Sequence, residues 1–494
     1  MGGQGMSGEQ LLTLVLLLPI LGSVLVFLSG YLWEKAPRIL ALLIALGATA
    51  AGLALIPIVA RDGYVALNLR WLELLGAGIV LRADRLSLGV LLTMAGIGSL
   101  AIAYCFGYYR GKQHPASFYA LITLFLGAMI GTAVAANTIL FYLFWEMMLV
   151  PSYALLALWG EGKYAARSAF KYFVFTHVGA VAILAAILWI YSSKGVTDIT
   201  AIGSAIAGLP AATLTALAGL FIFGFAVKMG IFPLHSWLPG TYDDAPLPVT
   251  VMISGAMISA GIYGMIRFPF GLFTQDILTR FRLPLLIFAV VTQFYGAIMA
   301  LTAKRIRRIL AYSSISQMGY VLLGIATLSG LGLGGAMFHL VNHGLIKALL
   351  FMVAGAVTLR TAREKTSELG GLARNMPVTA WGCLIGALAI AGSPPLNGFQ
   401  SEWMLLGSGF ATPYRALAVV SLVASVFSAG YALLLIKRIF FGERSPGTEE
   451  TREASGWMLA PMIVLTAGIL LIGILPGQFL SWIDAALKTF GFHL

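Results

Sequence analysis

Apolar runs of about 20 residues, each long enough to cross a bilayer, recur along the whole chain. They predict roughly fourteen spans, beginning near Leu11, Ile39, Leu86, Phe118, Ile139, Tyr172, Thr213, Val249, Leu283, Ile309, Gly335, Val378, Leu417 and Met458. The first run lacks a basic flank and is followed by many like it, so it reads as a span rather than a signal peptide. The longest stretches outside these runs, near Arg61 to Arg82 and Phe440 to Gly456, are too short for a catalytic domain. The expected fold is therefore an all-α integral membrane protein.

A coarser pattern overlies the spans. Lys228 precedes Pro233 in the seventh run, and Glu402 follows Pro394 and Pro395 in the twelfth, about 170 residues later. Two ionisable residues beside Pro-interrupted segments predict two inverted five-helix repeats with broken helices in spans 7 and 12. The organisation expected is spans 1–3 in residues 1–115, one repeat in 116–270 (spans 4–8), a second in 271–440 (spans 9–13), and a last span in 441–494.

Composition agrees with this picture and removes other classes. Of 494 residues 60% are hydrophobic and only 10% charged, against about 25% charged in soluble proteins. The net charge of +12 resides in short clusters between apolar runs, which argues against nucleic-acid binding. About 19 Lys and Arg fall in odd-numbered loops, including Lys304, Arg305, Arg307 and Arg308, and fewer than half as many in even ones. The positive-inside rule then places odd loops in the cytoplasm and both termini outside. Cys105 and Cys383 both sit in apolar runs, and no Gly-rich phosphate loop follows a strand. Neither a disulfide framework, a metal or iron–sulfur spacing, nor a nucleotide site is expected.

Function must then come from ionisable residues at membrane depth, each of which costs about 2.5 to 3.5 kcal/mol near the bilayer centre. Glu146 in LFWEMMLVPSY and Lys228 in FGFAVKMGIFPLHSWLP are expected to form a carboxylate–ammonium switch that holds a proton when close and releases it when separated. His339, His343 and Lys347 fall at i, i+4 and i+8 on one face of the eleventh span and predict a hydrated proton path. A metal on the His pair would lack a third ligand. Glu402 in SPPLNGFQSEW is either a buried carrier or an interfacial residue. Lys171 and His177 open the sixth span, where Lys171 reads equally well as interfacial, and His235 continues the Pro233 segment. Backbone groups freed beside Pro233 and Pro394 are tolerated only inside protein or a wet cavity.

The stretches LFWEMMLVPSYALLALWG, KMGIFPLHSWLPGTYDDAP, RRILAYSSISQMGY, FHLVNHGLIKALLF and SELGGLARNMP together resemble the antiporter-like subunits of complex I and its relatives. The resemblance covers nearly the whole chain in order and is greatest to subunit M (chain 4) of NADH-quinone oxidoreductase. The same fold serves membrane-bound hydrogenases, formate hydrogenlyase and multisubunit Na⁺/H⁺ antiporters. It implies a proton-translocating subunit with a midplane relay through Glu146, Lys228, His343 and Glu402. Ser259 stands where the family usually has a Lys, and Gln317 where subunit M often has a His. The pieces SPPLNGF and FHLVNHGLIK lean toward the hydrogenase and antiporter branches. No cofactor is expected in this chain, and flavin and iron–sulfur centres are expected in partner subunits. The implied partners are other membrane subunits, the lipid bilayer, and protons or Na⁺. The implied location is a prokaryotic-type plasma membrane. A stand-alone Na⁺/H⁺ antiporter component and a passive scaffold are the rival readings.

Overall fold

The structure, a computed structural model, describes residues 6–72, 77–111 and 114–494. Thirteen helices among them are long and apolar enough to cross a membrane. Spans 1 to 4 are Gly8–Ser29, Ala36–Asp62, Arg85–Tyr108 and Ala116–Val134; spans 5 to 8 are Thr138–Trp159, Ala165–Lys194, Ala211–Met229 and Leu247–Leu272. Spans 9 to 11 are Gln275–Thr302, Ile306–Ala326 and Gly330–Thr361; spans 13 and 14 are Arg415–Ile439 and Gly456–Ile474. The twelfth is split into Pro377–Ile390 and Asn397–Phe410.

Both expected breaks are present. Span 7 ends at Met229 with Gly230 in the left-handed region (φ 71°), and a short helix, Leu238–Asp244, resumes after the Pro233 segment. In span 12 the interruption runs through Gly392 (φ 65°) and Pro394–Pro395. Trp237 Nε1 donates to the Val227 carbonyl at 3.0 Å, satisfying one of the acceptors that the end of span 7 leaves open.

The burial pattern separates inner from outer helices. Spans 8, 10 and 11 are buried almost throughout. Spans 6 and 13 turn rows such as Val174, Val178 and Val181, or Val419, Val423 and Val426, outward. A lipid-facing surface of this kind needs no polar cover, whereas the inner helices can carry polar groups because they meet only protein. Span 8 is not regular: a π-helical turn, Ile253–Met257, interrupts it directly after Leu247–Met252. There Gly255 and Gly344 let the backbones of spans 8 and 11 meet. A Cβ on Gly255 would lie 2.9 Å from the Gly344 carbonyl, and one on Gly344 2.7 Å from the Gly255 carbonyl.

The segment between spans 2 and 3, expected only as an exposed stretch, is an antiparallel hairpin of β1 (Tyr64–Leu72) and β2 (Ala77–Asp84). It is stitched to the turn between spans 4 and 5 by the Ala136 amide donating to the Val80 carbonyl at 2.9 Å. The same turn is tied to the loop after span 6 through Thr138 N to Thr197 O (2.8 Å) and Ile199 N to Ala136 O (2.9 Å). Asp84 then caps span 3, its carboxylate accepting from the Ser87 amide at 3.0 Å while Ser87 Oγ accepts from the Asp84 amide.

Candidate functional site

Glu146 lies in the middle of span 5, one turn ahead of Pro151. The sequence pairs it with Lys228, but its ion-pair partner in the structure is His177 of span 6, with Nδ1 at 3.3 Å from Oε2. That pair sits at the protein surface, its side chains 26% and 45% exposed, while Glu146 Oε1 is buried without a partner. Lys228 is buried in the last turn of span 7 and points its Nζ at two aromatic faces, Trp145 at 5.4 Å and Tyr172 at 6.0 Å. Among the described residues no carboxylate oxygen comes within the 4.0 Å of an ion pair with it. The Glu–Lys relation is thus one of separated charges, with an imidazole standing where the ammonium was expected.

Lys171 is exposed on span 6, six residues inside the helix rather than opening it, with its Nζ 5.9 Å from the Phe175 ring. His235 is buried in the break after span 7, its ring 5.4 Å from Phe232 and 4.4 Å from Tyr295, and its Nδ1 has no partner.

Ser259 follows the π-helical turn of span 8, fully buried, and donates to the Gly255 carbonyl at 3.4 Å. Across the Gly255/Gly344 contact stands His343, whose two ring nitrogens are both buried and unpartnered. His339, one turn away with ring centroids 6.0 Å apart, bonds Ser401 Oγ through Nδ1 at 3.0 Å and leaves Nε2 open. Lys347 completes the face in sequence, but its ammonium turns to span 10, donating to the Leu310 carbonyl at 2.9 Å and to Ser313 Oγ.

Glu402 is buried in the second half of span 12, enclosed by protein at whatever depth it lies. Its Oε1 lacks a partner, and its Oε2 packs against Gly392, where a Cβ would come closer than any ordinary contact. Around it are residues that charge-based reading passes over. Gln317 of span 10 donates to the Ile390 carbonyl (3.2 Å) and toward Tyr431 Oη (3.5 Å), and its Oε1 is buried and free. Asn342 donates to the Asn397 carbonyl (2.8 Å) and Ser401 Oγ (3.1 Å), and Asn397 Nδ2 returns a bond to Asn342 Oδ1 at 3.0 Å. Asn342 could have been found by its place between His339 and His343; Gln317 was marked only as a departure from the family pattern, and Tyr431 carries no signal beyond polarity in an apolar run.

A second group missed in the sequence lies at the odd-loop face. Arg307, buried at the start of span 10, bonds Glu161 Oε2 at 2.5 Å, Tyr108 Oη at 3.3 Å, and the carbonyls of Asp243 (3.3 Å) and Ala245 (3.0 Å). Arg308 and Arg305 share Asp243 Oδ2 at 2.8 and 3.3 Å. This knot ties span 3, the loop after span 5 and span 10 to the segment that follows the break of span 7. Among the described residues no three His, Cys, Asp or Glu side chains converge to hold a metal ion.

The chain can be set beside known proteins. Residues 135–428 match the family model described as NADH:quinone oxidoreductase/Mrp antiporter, TM. The F(420)H(2) dehydrogenase subunit M of Methanosarcina mazei is 32% identical over 422 residues, 84% of each chain. An NAD(P)H-quinone oxidoreductase chain 4 of Thermosynechococcus vestitus is 35% identical over 384 residues, 76% of this chain and 70% of that one. A chain of respiratory complex I from Thermus thermophilus with bound NADH superposes with a TM-score of 0.87 at 27% identity, covering 97% of this chain and 99% of that one. A chain of the Mrp complex from Dietzia sp. gives 0.87 at 26% identity over 97% of this chain, which spans about half (52%) of it. Sequence and fold agree that the chain belongs to the NADH:quinone oxidoreductase/Mrp antiporter transmembrane family.

Proposed function

We propose that this chain is the proton-translocating membrane subunit of a redox-driven, complex I-like quinone oxidoreductase, and that Glu146, Lys228, Ser259, His339, His343, Lys347 and Glu402 carry the protons. The observation that carries the reading is a set of buried acid and base atoms without partners, Glu146 Oε1, His339 Nε2, both nitrogens of His343 and Glu402 Oε1, together with the amide oxygen Gln317 Oε1. A purely structural network would satisfy such atoms, because each orphan costs about 1–3 kcal/mol. Several of them on neighbouring spans fit groups that trade protons through water.

The magnitudes bring in partners. Moving one proton against 100 mV takes about 2.3 kcal/mol, whereas an exposed ion pair is worth about 0–1 kcal/mol. Glu146–His177, half-exposed in this chain alone, reaches the needed size only when a neighbouring membrane subunit covers it and Lys171. In this reading the flavin and iron–sulfur centres belong to other subunits. Their turnover shifts charge near Glu146, and Lys228 answers by releasing or regaining its proton. The odd-loop side faces the cytoplasm of a prokaryotic-type plasma membrane, with both termini outside.

The likeness to the Mrp chain favours one second reading, a Na⁺/H⁺ antiporter subunit. Proton pumping by the purified parent complex in liposomes separates the two. With Lys228→Ala and Glu146→Ala at equal assembly, pumping should be lost. Unchanged pumping sinks the relay, and transport that needs Na⁺ but no electron donor moves the assignment to the antiporter.

A further inference from the structure

Span 8 carries more than Ser259. Tyr263 and Arg267 follow at i+4 and i+8, so the three polar groups form one stripe from the deep part of the span to its even-loop end. The stripe is hydrogen-bonded at its outer end. Arg267 Nε donates to Tyr263 Oη at 3.2 Å, and Arg267 Nη2 to Asp84 Oδ1 at 2.6 Å. Tyr263 Oη in turn donates to the Ala133 carbonyl at 3.0 Å.

The pair closes onto a cavity rather than onto packed side chains. Arg82, Asp84, Ala135, Ala136, Ile199, Thr200, Tyr263 and Arg267 enclose about 20 Å³, room for about one water. Its wall draws on the end of β2, the turn between spans 4 and 5 and the start of the helix Ile199–Ile206. Arg82 Nε is buried there without a partner, while Thr200 lies exposed at the mouth. All three Asp84 bonds from Arg267 and Ser87 fall on Oδ1, which leaves Oδ2 to other partners.

We propose that Asp84 and Arg267 gate a proton exit on the even-loop side, fed along the Ser259–Tyr263 stripe of span 8. This rests on the relay reading above. In the closed state seen here the Arg267 guanidinium sits across the path, and its fixed positive charge repels an arriving hydronium. When Arg267 swings away from Asp84, the bared carboxylate takes a proton: an O–H bond of the hydronium breaks as one to Asp84 forms. That proton then passes to water at the Thr200 mouth, and the returning guanidinium resets the pair. Charge is conserved at each step, and no other reactant is needed.

The test measures protons moved per electron pair in proteoliposomes of the intact complex, with Lys228→Ala as the relay reference. Asp84→Asn at equal assembly should lower the ratio to the Lys228→Ala value, while Arg267→Lys in the otherwise wild-type chain, which keeps the charge, should retain most of the wild-type ratio. A clamp serving only stability would alter assembly and leave the ratio of the assembled complex at wild type. Should Asp84→Asn fail to assemble, Thr200→Cys modified from outside with a membrane-impermeant thiol reagent decides, since an adduct in the mouth should reduce the ratio relative to the unmodified variant. If Lys228→Ala abolishes pumping but neither Asp84→Asn nor the adduct changes it, the exit is overturned and the relay stands. If Lys228→Ala itself pumps normally, both fall.

Discussion

Gly392→Ala isolates the position of Glu402 from everything else around it. Gly392 has φ 65°, so alanine there costs about 1–2 kcal/mol in backbone energy. The new methyl would also fall on Glu402 Oε2, the far end of a flexible side chain, which must leave its rotamer at about 0.5–1.5 kcal/mol. The sum, about 1.5–3.5 kcal/mol, is too small to prevent folding of a chain this extensively buried, but it displaces the carboxylate. A shift of about 1 Å between reacting groups can cost 100-fold in rate, so pumping should fall by about 10- to 100-fold. Gly195→Ala is the matched control: its φ is 66° and a methyl meets nothing within 4 Å. Dye-monitored acidification of proteoliposomes, normalised to electron transfer, reads the difference. Equal pumping by the two variants would refute a carrier role for Glu402 in this geometry.

Three further outcomes follow from packing and charge. Gly344→Val should block assembly, because its Cβ meets the Gly255 carbonyl at 2.7 Å and neither backbone can yield; native gel analysis of the membrane fraction shows it. Arg307→Ala removes the charged donor of Glu161, which keeps Tyr108, Tyr109 and the Leu247 amide, and the side-chain donor of two carbonyls, a loss of about 1–3 kcal/mol visible as lower thermal stability in detergent, and Arg307→Lys should recover only part because one ammonium cannot span four acceptors. Burial pushes the Asp84 carboxyl up, but the Arg267 guanidinium and the Ser87 bonds outweigh it and hold it down to about 2. A lowered carboxyl contributes stability that is complete above the unfolded value near 3.8 and lost as pH falls toward 2, about 2 kcal/mol in all. Thermal stability of wild type should therefore exceed that of Asp84→Asn by a constant margin from pH 5 to pH 9 and converge with it only in strong acid.

The spans were legible because twenty apolar residues have few other uses, and the breaks because Pro233 and Pro394–Pro395 interrupt such runs beside a charge. The hairpin was less so. Its alternation, as in Leu67, Asn68 and Leu69, spans few residues and is overshadowed by the apolar runs on either side. The π-helical turn has no sequence mark, since Ile253–Met257 reads as ordinary helix. Among the candidate residues, charge flagged Glu146, Lys228 and Glu402 but not their neighbours. Which group stands opposite Glu146 depends on how spans 5, 6 and 7 rotate, and that rotation puts His177 rather than Lys228 at 3.3 Å. Asn342 and Tyr431 are uncharged and cost less to bury than a charge, so nothing announced them, and Gln317 showed only as a departure from the family pattern.

Span 8 is wrapped by protein along its whole length. Its side chains are therefore judged only by the helices around them, and lipid solubility places no constraint on what they are. Evolution can exchange a cation for a hydroxyl at Ser259 without harming membrane insertion of the finished bundle, so long as spans 3, 7 and 11 accommodate the change. Conversely, a substitution on span 3, 7 or 11 reaches span 8 directly, with no lipid between them to absorb the change.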